Sequence, residues 1–452
     1  MSSFINACNT NLCVGIFTLG CKVNQYESEA IAEIFRAEGY SILQPTEICD
    51  IYVINTCTVT AESDRKARQI IRRAASKNPD ALIVVTGCYA QVAPMEVAAI
   101  EGVHLIVGNQ YKTLIPSYVK MILKDRDTVL FPVNKVASLE GAPFESMCIS
   151  RFDRTRAYVK IEDGCESRCS YCIIPSARGS IRSKPLPEVI EEVTVLTQNG
   201  CPEIVLTGIE TASYGRDLCN VTLASLLREV DQIPNIGRVR LGSLDPSLIK
   251  PSFVSQIKEI TCLAPHFHLS MQSGSNSVLR RMRRRYNREQ ALCALSLLRE
   301  SIPRVQFTTD IIVGFPGESD ADFLDTVSLV RDGRFLMTHV FPYSKRKGTP
   351  ASEMEDQIPE AIKHERVRYL SEIAKETRAN ILKEAADIDR IEYVIFETAR
   401  KGYISGHTDN FLEVTVKSDT IPRKGPVPVR LISSDEACCT GILLSDHEAV
   451  SS

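Results

Sequence analysis

The stretch from Ala157 to Cys172, AYVKIEDGCESRCSYC, decides the fold of the largest part of this chain. Its first seven residues read as a strand, and Cys165, Cys169 and Cys172 follow at Cys-x3-Cys-x2-Cys spacing. No fourth ligand stands close by, because Cys201 lies on the far side of a helical pattern. A structural zinc ion closes four ligands, usually supplied as two paired motifs. Three thiolates in one tight loop suit an iron–sulfur cubane with one iron left open to a substrate or cofactor. Zinc with a distant fourth ligand and three incidental cysteines are the competing readings.

Outward from that loop, residues 146–386 repeat an alternation of strand and helix. Strands are expected at 157–163, 203–208, 237–243, 266–273, 307–314 and 337–344, with helical patterns such as LPEVIEEVTVLTQNG and DADFLDTVSLVRD between them. Six such units fit a partial (β/α)6 TIM-like barrel, two units short of the full eight, and the cysteine loop falls at a strand's carboxyl end, where barrel sites are built. Residues 360–386 read as one long charged helix. Upstream, residues 12–145 place the apolar runs VGIFTL, IYVINT, ALIVVTG and VHLIVG between amphipathic segments. That pattern predicts a small doubly wound domain with a parallel sheet covered on both faces. Downstream, residues 387–446 hold five short strand patterns separated by turn residues, a small all-β barrel or sandwich. The fold class is therefore α/β with a β tail.

A chain of 452 residues exceeds one compact core and implies two to four domains. With 44% hydrophobic and 24% charged residues it has the make-up of a globular protein, which excludes disordered and collagen-like classes. No apolar run approaches the roughly 18 residues of a membrane helix, and the N-terminus MSSFINACNTNLCVG lacks the features of a secretory signal. A cytoplasmic protein is expected. Sixteen cysteines in such a chain point to metal or redox chemistry rather than disulfides. The net charge of -3 gives no global cue for nucleic acid, so any such cue must be local.

A second cysteine set is scattered. FTLGCKVNQ, VINTCTVT and VVTGCYAQ each end an apolar run with Cys21, Cys57 and Cys88. All three should emerge at the carboxyl edge of the parallel sheet, the usual ligand edge of open α/β folds. They converge on a second three-coordinate Fe–S cluster, unless each is simply a small residue that buries easily. The other ten cysteines, from Cys8 to the Cys438–Cys439 pair, fit no ligand spacing. The run LRRMRRRYNR carries Arg280, Arg281, Arg283, Arg284, Arg285 and Arg288 with no acid between them, a phosphate-binding patch unless it is a solvated helix face. RKARQIIRR (65–73) and KRK (345–347) are further basic candidates. Tyr403, His407 and Phe411 are candidates for stacking on bases, or for core packing.

The Cys165–Cys172 spacing, with Tyr171 before the last cysteine, resembles the radical SAM superfamily. TLGCKVNQYESE, INTCTVT, TGCYAQ, GCESRCSYCIIPSARG, LTGIETASYG, QSGSNSVLRRMRRRY and DIIVGFPGES together resemble its methylthiotransferase family, from about residue 13 to 445. LGCKVNQYES resembles the MtaB branch rather than the MiaB branch, and GHTDNFLEV resembles a TRAM domain. The resemblance implies three domains: a cluster domain at 12–145, a radical SAM barrel at 146–386 and a TRAM domain at 387–446. It implies two 4Fe–4S clusters and S-adenosylmethionine, cleaved by one electron to a 5′-deoxyadenosyl radical. The implied product is the methylthio derivative, at C2, of N6-threonylcarbamoyladenosine beside a tRNA anticodon. The partners are then a tRNA anticodon stem-loop and an electron donor, with no membrane, and the enzyme acts as a monomer.

Tyr171 is expected near the cluster or adenine. Thr207 and Gly208 take the place of the superfamily's Gly-Gly-Glu segment, and Ser243, Gln272 and Asp310, ending successive strands, are expected in the same S-adenosylmethionine pocket. Rival readings are methylthiolation of isopentenyladenosine or of a ribosomal-protein aspartate, a radical methylase without sulfur insertion, and a non-catalytic Fe–S RNA-binding redox sensor.

Overall fold

The computed structural model describes residues 12–125, 130–152, 154–388 and 391–445, so Cys8 lies outside the described residues. The chain forms two compact units. The first comprises the described residues up to Ile149 with Asp163–Glu166 and Cys172–Arg182; the second comprises Ser150–Glu162, Ser167–Tyr171 and the described residues from Ser183 onward.

In the first unit, strands β1 (Cys13–Thr18), β2 (Ser41–Leu43), β3 (Ile51–Thr56), β4 (Leu82–Gly87), β5 (Leu105–Val107) and β6 (Val133–Lys135) form one parallel sheet. Their spatial order is β2-β1-β3-β4-β5-β6. Every residue of β3 and β4 is buried, which is why both read as unbroken apolar runs rather than alternating ones. Helices α1 (Lys22–Ala37), α2 (Ala61–Lys77), α3 (Cys88–Val92), α4 (Pro94–Ala98) and α5 (Ile115–Lys124) connect the strands. α1 buries Val23, Tyr26, Ala30, Ile31 and Phe35 at helical spacing. α2 is capped by Thr60, whose hydroxyl accepts from the Ser63 N–H at 3.2 Å. β2 and β6 escaped the sequence reading because three-residue, incompletely buried edge strands carry no period.

The chain leaves β1 for β2 on one side and returns past β1 to lay β3 on the other. This reversal is a topological switch point, and ligands of open α/β sheets bind outside the carboxyl ends of the strands flanking it.

β7 (Ala157–Lys160) begins the barrel, the short strands β8 (Glu162–Asp163) and β9 (Arg182–Ser183) pair as a ribbon, and α6 (Ile174–Arg178) lies between them in sequence. In the second unit β7 is joined by β10 (Glu203–Thr207), β11 (Arg238–Leu241), β12 (His266–His268), β13 (Gln306–Val313) and β14 (Met337–Pro342). All pairings are parallel, in two groups of three, β11-β10-β7 and β12-β13-β14, joined by the bridges Val239–Leu263 and Leu244–Leu269. Helices α7 (Leu186–Gln198), α8 (Leu223–Asp231), α9 (Pro251–Ile257), α10 (Asn276–Arg281), α11 (Arg288–Ser301) and α12 (Asp320–Gly333) return the chain between strands. The result is the six-unit open barrel expected from the sequence.

α13 (Glu360–Asp387) follows, and then β15 (Ile391–Arg400), β16 (Tyr403–His407), β17 (Glu413–Lys417), β18 (Pro426–Ser434) and β19 (Cys439–Leu443) close into a barrel in the order β15-β16-β17-β19-β18. Closure removes free strand edges. Ile381, Leu382 and Ala385 of α13 are buried in the same core as Val394, Phe396, Val414 and Val429. Among the described residues no helix is long and apolar enough to cross a membrane.

Two of the aromatics that could serve either base stacking or core packing, His407 and Phe411, are half-buried and stack on each other. Phe411 is stacked between His266 and His407, at centroid distances of 4.5 and 4.6 Å. Beside it, the buried carboxylate of Glu203 meets Arg240 at 3.0 Å, Arg156 at 3.1 Å and Arg238 at 3.3 Å. Burial alone would raise the Glu203 pKa, but the arginines override it and hold it at about 2. Tyr403 stays half exposed.

Candidate functional site

Cys21, Cys57 and Cys88 follow β1, β3 and β4, three adjacent strands that include both sides of the switch point. The Asn and Thr residues around them tie the strand ends together. Asn24 Nδ2 donates to the carbonyls of Leu19 at 2.7 Å and Thr56 at 2.9 Å, and the Thr56 hydroxyl donates to the Thr86 carbonyl at 2.6 Å. Asn55 Nδ2 reaches the Asn24 carbonyl at 2.9 Å. A Cβ on Gly20, whose φ is +100°, would lie 2.7 Å from the Cys57 Cβ and 2.9 Å from its Sγ. Glycine is therefore what lets the Cys57 thiol turn into this hollow. Cys21 is open to solvent, while Cys57 and Cys88 are buried.

Burial pushes the Cys57 thiol up to about 12, and Cys88 and Cys21 raise it further, so its sulfur lies within electrostatic reach of both others. Such thiols stay protonated until a metal displaces the proton. Two N–H donors already aim at Cys88 Sγ: Arg178 Nε at 3.3 Å and Asn109 Nδ2 at 3.5 Å. Hydrogen bonds to ligand sulfur are a regular feature of Fe–S sites. Among the described residues no three Cys, His, Asp or Glu side chains gather at the spacing of a single ion. Three thiols at strand ends, with N–H donors on one of them, have the donor chemistry of a thiolate-ligated Fe–S centre.

Arg178, at the end of α6, is completely buried in the same unit. It donates to Glu27 Oε1 at 2.6 Å, to Asn24 Oδ1 at 2.5 Å and to Asp163 Oδ2 at 3.2 Å. Lys112 also pairs with Glu27, and Arg182 lies 3.6 Å from Asp163. Sequence reasoning missed this knot: Arg178 stands alone in CIIPSARG, and its partners lie up to 154 residues away.

Of the Cys-x3-Cys-x2-Cys set, Cys165 and Cys172 belong to the first unit and Cys169 to the second. The Cys165 N–H donates to the Gly179 carbonyl at 3.0 Å. Cys169 is buried, and its Sγ accepts from Arg284 Nη1 at 3.4 Å. Ser167 Oγ donates to Glu210 Oε2 at 2.9 Å, and the Glu210 N–H donates to Glu162 Oε2 at 2.8 Å. Glu210 was not singled out from the sequence; its signal is an acid two residues past Gly208. Cys165 and Cys172 are partly exposed thiols.

Thr207 is buried at the end of β10, and a Cβ on Gly208 would crowd Glu162, 2.5 Å from its Oε2 and 3.0 Å from its Cβ. Ser243 lies two residues past β11 and is half-buried. Gln272 pairs across to β13: its N–H donates to the Asp310 carbonyl at 2.9 Å, and its carbonyl accepts from Ile312 at 2.8 Å. Asp310 does not end its strand. It is the fifth of the eight residues of β13, because β13 runs on through Ile311–Val313 beside β14, and its carboxylate meets His268 Nε2 at 3.2 Å. Tyr171 is partly buried against the apolar cluster of Val278, Met282, Phe315, Tyr343 and Ala351.

The arginine run is not one surface. Arg284 is buried, 2.8 Å from Asp245 and beneath Cys169. Arg281 donates to Ser277 Oγ and the Gly317 carbonyl, both at 2.9 Å, and Arg288 to Ser328 Oγ at 2.8 Å and Asp332 at 3.1 Å. The turn between α10 and α11 sends alternate arginines inward, leaving Arg280, Arg283 and Arg285 exposed.

A six-unit parallel barrel whose first strand leads into a Cys-x3-Cys-x2-Cys loop defines a radical SAM protein. Residues 159–330 match the model of the Radical SAM superfamily, and residues 13–108 match Uncharacterized protein family UPF0004. A threonylcarbamoyladenosine tRNA methylthiotransferase MtaB of Bacillus subtilis is 42% identical, over 89% of this chain and 90% of its own length. One of Thermotoga maritima is 38% identical over 93% of this chain and 95% of its own. A tRNA-2-methylthio-N(6)-dimethylallyladenosine synthase of Clostridium botulinum is 36% identical, over 89% and 90%. The chain belongs to the radical SAM tRNA methylthiotransferase family. Among solved structures, the radical S-adenosylmethionine methyltransferase TsrM of Kitasatospora setae shares the fold, with a TM-score of 0.55 at 15% identity over 76% of this chain and 74% of that one.

Proposed function

We propose that this chain installs a methylthio group at C2 of N6-threonylcarbamoyladenosine in a tRNA anticodon stem-loop, working as a monomer in the cytoplasm. The observation that carries the reading is the placement of Cys21, Cys57 and Cys88 at three adjacent strand ends around a switch point, in a chain that also holds the Cys165, Cys169 and Cys172 loop. Bound at these two cysteine sets, one 4Fe–4S cluster would supply the electron, drawn from an external donor, that cleaves S-adenosylmethionine, and the other would hold the sulfur. An aromatic C2–H is neither acidic nor electrophilic enough for ordinary acid–base or thiolate chemistry, which is why the radical step is needed.

The chain's own residues then have defined work. Gly20 opens room for the Cys57 thiol, and Asn24, Asn55 and Thr56 hold the strand ends in register. Glu210 steadies the Cys165–Cys172 loop through Ser167. Gly208, with Thr207, Ser243 and Gln272, forms the barrel mouth we assign to S-adenosylmethionine, with Asp310 three residues short of the end of β13. Arg280, Arg283 and Arg285 are the members of the basic run that face phosphate, and the β15–β19 barrel is a TRAM-type RNA-binding domain (387–446), following in sequence the domains at 12–145 and 146–386.

The test pairs iron content with product. Anaerobically purified protein should hold about eight irons, falling to about four when Cys165, Cys169 and Cys172 are all changed to alanine. The same fall is expected when Cys21, Cys57 and Cys88 are changed, with 5′-deoxyadenosine release kept and the sulfurated nucleoside lost. Mass spectrometry of tRNA nucleosides from a deletion strain should show the methylthio derivative of threonylcarbamoyladenosine gone. Its persistence, with loss of the dimethylallyl derivative instead, would assign the other nucleoside.

A further inference from the structure

The segment Ala177–Ser180 touches both cysteine sets within the first unit. The Gly179 carbonyl accepts from the Cys165 N–H at 3.0 Å, and the neighbouring Arg178 Nε donates to Cys88 Sγ at 3.3 Å. Asn109 repeats the link from the other side, its one Nδ2 donating to the Ala177 carbonyl at 2.7 Å and to Cys88 Sγ at 3.5 Å. Cys172 lies six residues before Arg178, and the helix between them, α6, is part of the same unit.

The guanidinium divides its donors by direction. The Nη groups go to Glu27, Asp163 and Asn24, which fix the plane of the fork, and the Nε–H is left pointing at sulfur. Lysine has a point charge and no fork, so it cannot hold the carboxylates and the sulfur in one fixed geometry. A buried cation with an N–H on a ligand sulfur stabilises the more negative, reduced state of an Fe–S centre, because charge and hydrogen bonds at the sulfurs set its potential.

We infer that Arg178 is a positioning residue that ties the Cys165 loop to the Cys21, Cys57 and Cys88 centre and sets that centre's reduction potential through its hydrogen bond to Cys88. The inference rests on the reading that this trio holds a cluster.

The test uses the full chain with Cys165, Cys169 and Cys172 changed to alanine, so that only the N-terminal centre contributes. EPR-monitored redox titration should give a lower potential for Arg178→Gln, with the reduction equilibrium weakened at least tenfold, about 59 mV for one electron. Arg178→Lys should fall between Gln and the parent. Asn109→Ala, which removes the second donor and keeps the knot of charges, should shift the same way by less, and it serves where Arg178→Gln fails to load iron. If the parent holds no iron, the cluster reading itself fails. If the parent holds about four irons and neither Arg178→Lys nor Asn109→Ala moves the potential, the inference about Arg178 is overturned.

Discussion

Each unit buries several charges, and one knot taken from each makes a pair of opposites. In the first, Arg178 is wrapped by Glu27, Asp163 and Asn24; in the second, Glu203 is wrapped by Arg156, Arg238 and Arg240. The Glu203 carboxylate meets arginines. The Arg178 knot spends one donor on a thiol. A buried ion satisfied wholly by opposite charge reads as architecture, while one that also reaches a soft ligand reads as preparation for a guest.

Changing Glu203 tests the architectural side and carries the largest expected effect. With its pKa held at about 2 against an ordinary value near 4.5, the ionised carboxylate is worth about 3 kcal/mol at neutral pH. Between those two values the unfolded chain binds the extra proton, so this stability is present above about pH 4.5 and drains away as the pH falls towards 2. Glu203→Gln should lower the urea midpoint at pH 7 and flatten the acid limb of the stability curve, with iron per folded molecule unchanged. Loss of iron in that variant would erase the distinction between the knots.

The next effect is on the other side. Gly20→Ala places a Cβ 2.7 Å from that of Cys57 at a φ of +100°, which should cost about 1–3 kcal/mol. Unlike Glu203→Gln, it should also strip iron from the N-terminal centre, read by iron and sulfide analysis. Full loading with normal stability would show that Cys57 is not held there.

The smallest effect separates surface from buried arginines. Arg280→Ala and Arg283→Ala should each reduce the slope of log affinity for tRNA against log salt by about 1 in filter binding. An unchanged slope in both would remove the exposed part of the run from the RNA contact.

How much was legible follows from how far apart the cooperating residues lie. The Cys165–Cys172 loop was open to reading because its three thiols fall within eight residues of chain. Cys21, Cys57 and Cys88 were found only because each repeats one local context, an apolar run ending in a polar residue and a cysteine. Arg178 has no such context, and its meaning is supplied by Glu27 and Cys88 from two other strand–helix junctions. The arginine run misled in the opposite way: composition shows charge but not direction, and a turn after α10 sent Arg284 inward to Asp245 while Arg283 stayed out. Phe411 was likewise visible as an aromatic and invisible as the filling between two imidazoles.

α13 belongs to two cores at once. Its first turns bury Lys363 and Arg366 beside Glu318 of the parallel barrel, and its last bury Ile381, Leu382 and Ala385 under the closed β15–β19 barrel. At 28 residues it spans roughly 42 Å. A truncation that stops before Ile391 therefore does not excise an independent module. It leaves a greasy stump on the remaining protein, and the aggregation that follows would mimic a loss of RNA affinity. Point changes on the outer face of the small barrel, such as Tyr403→Ala, are the cleaner instrument.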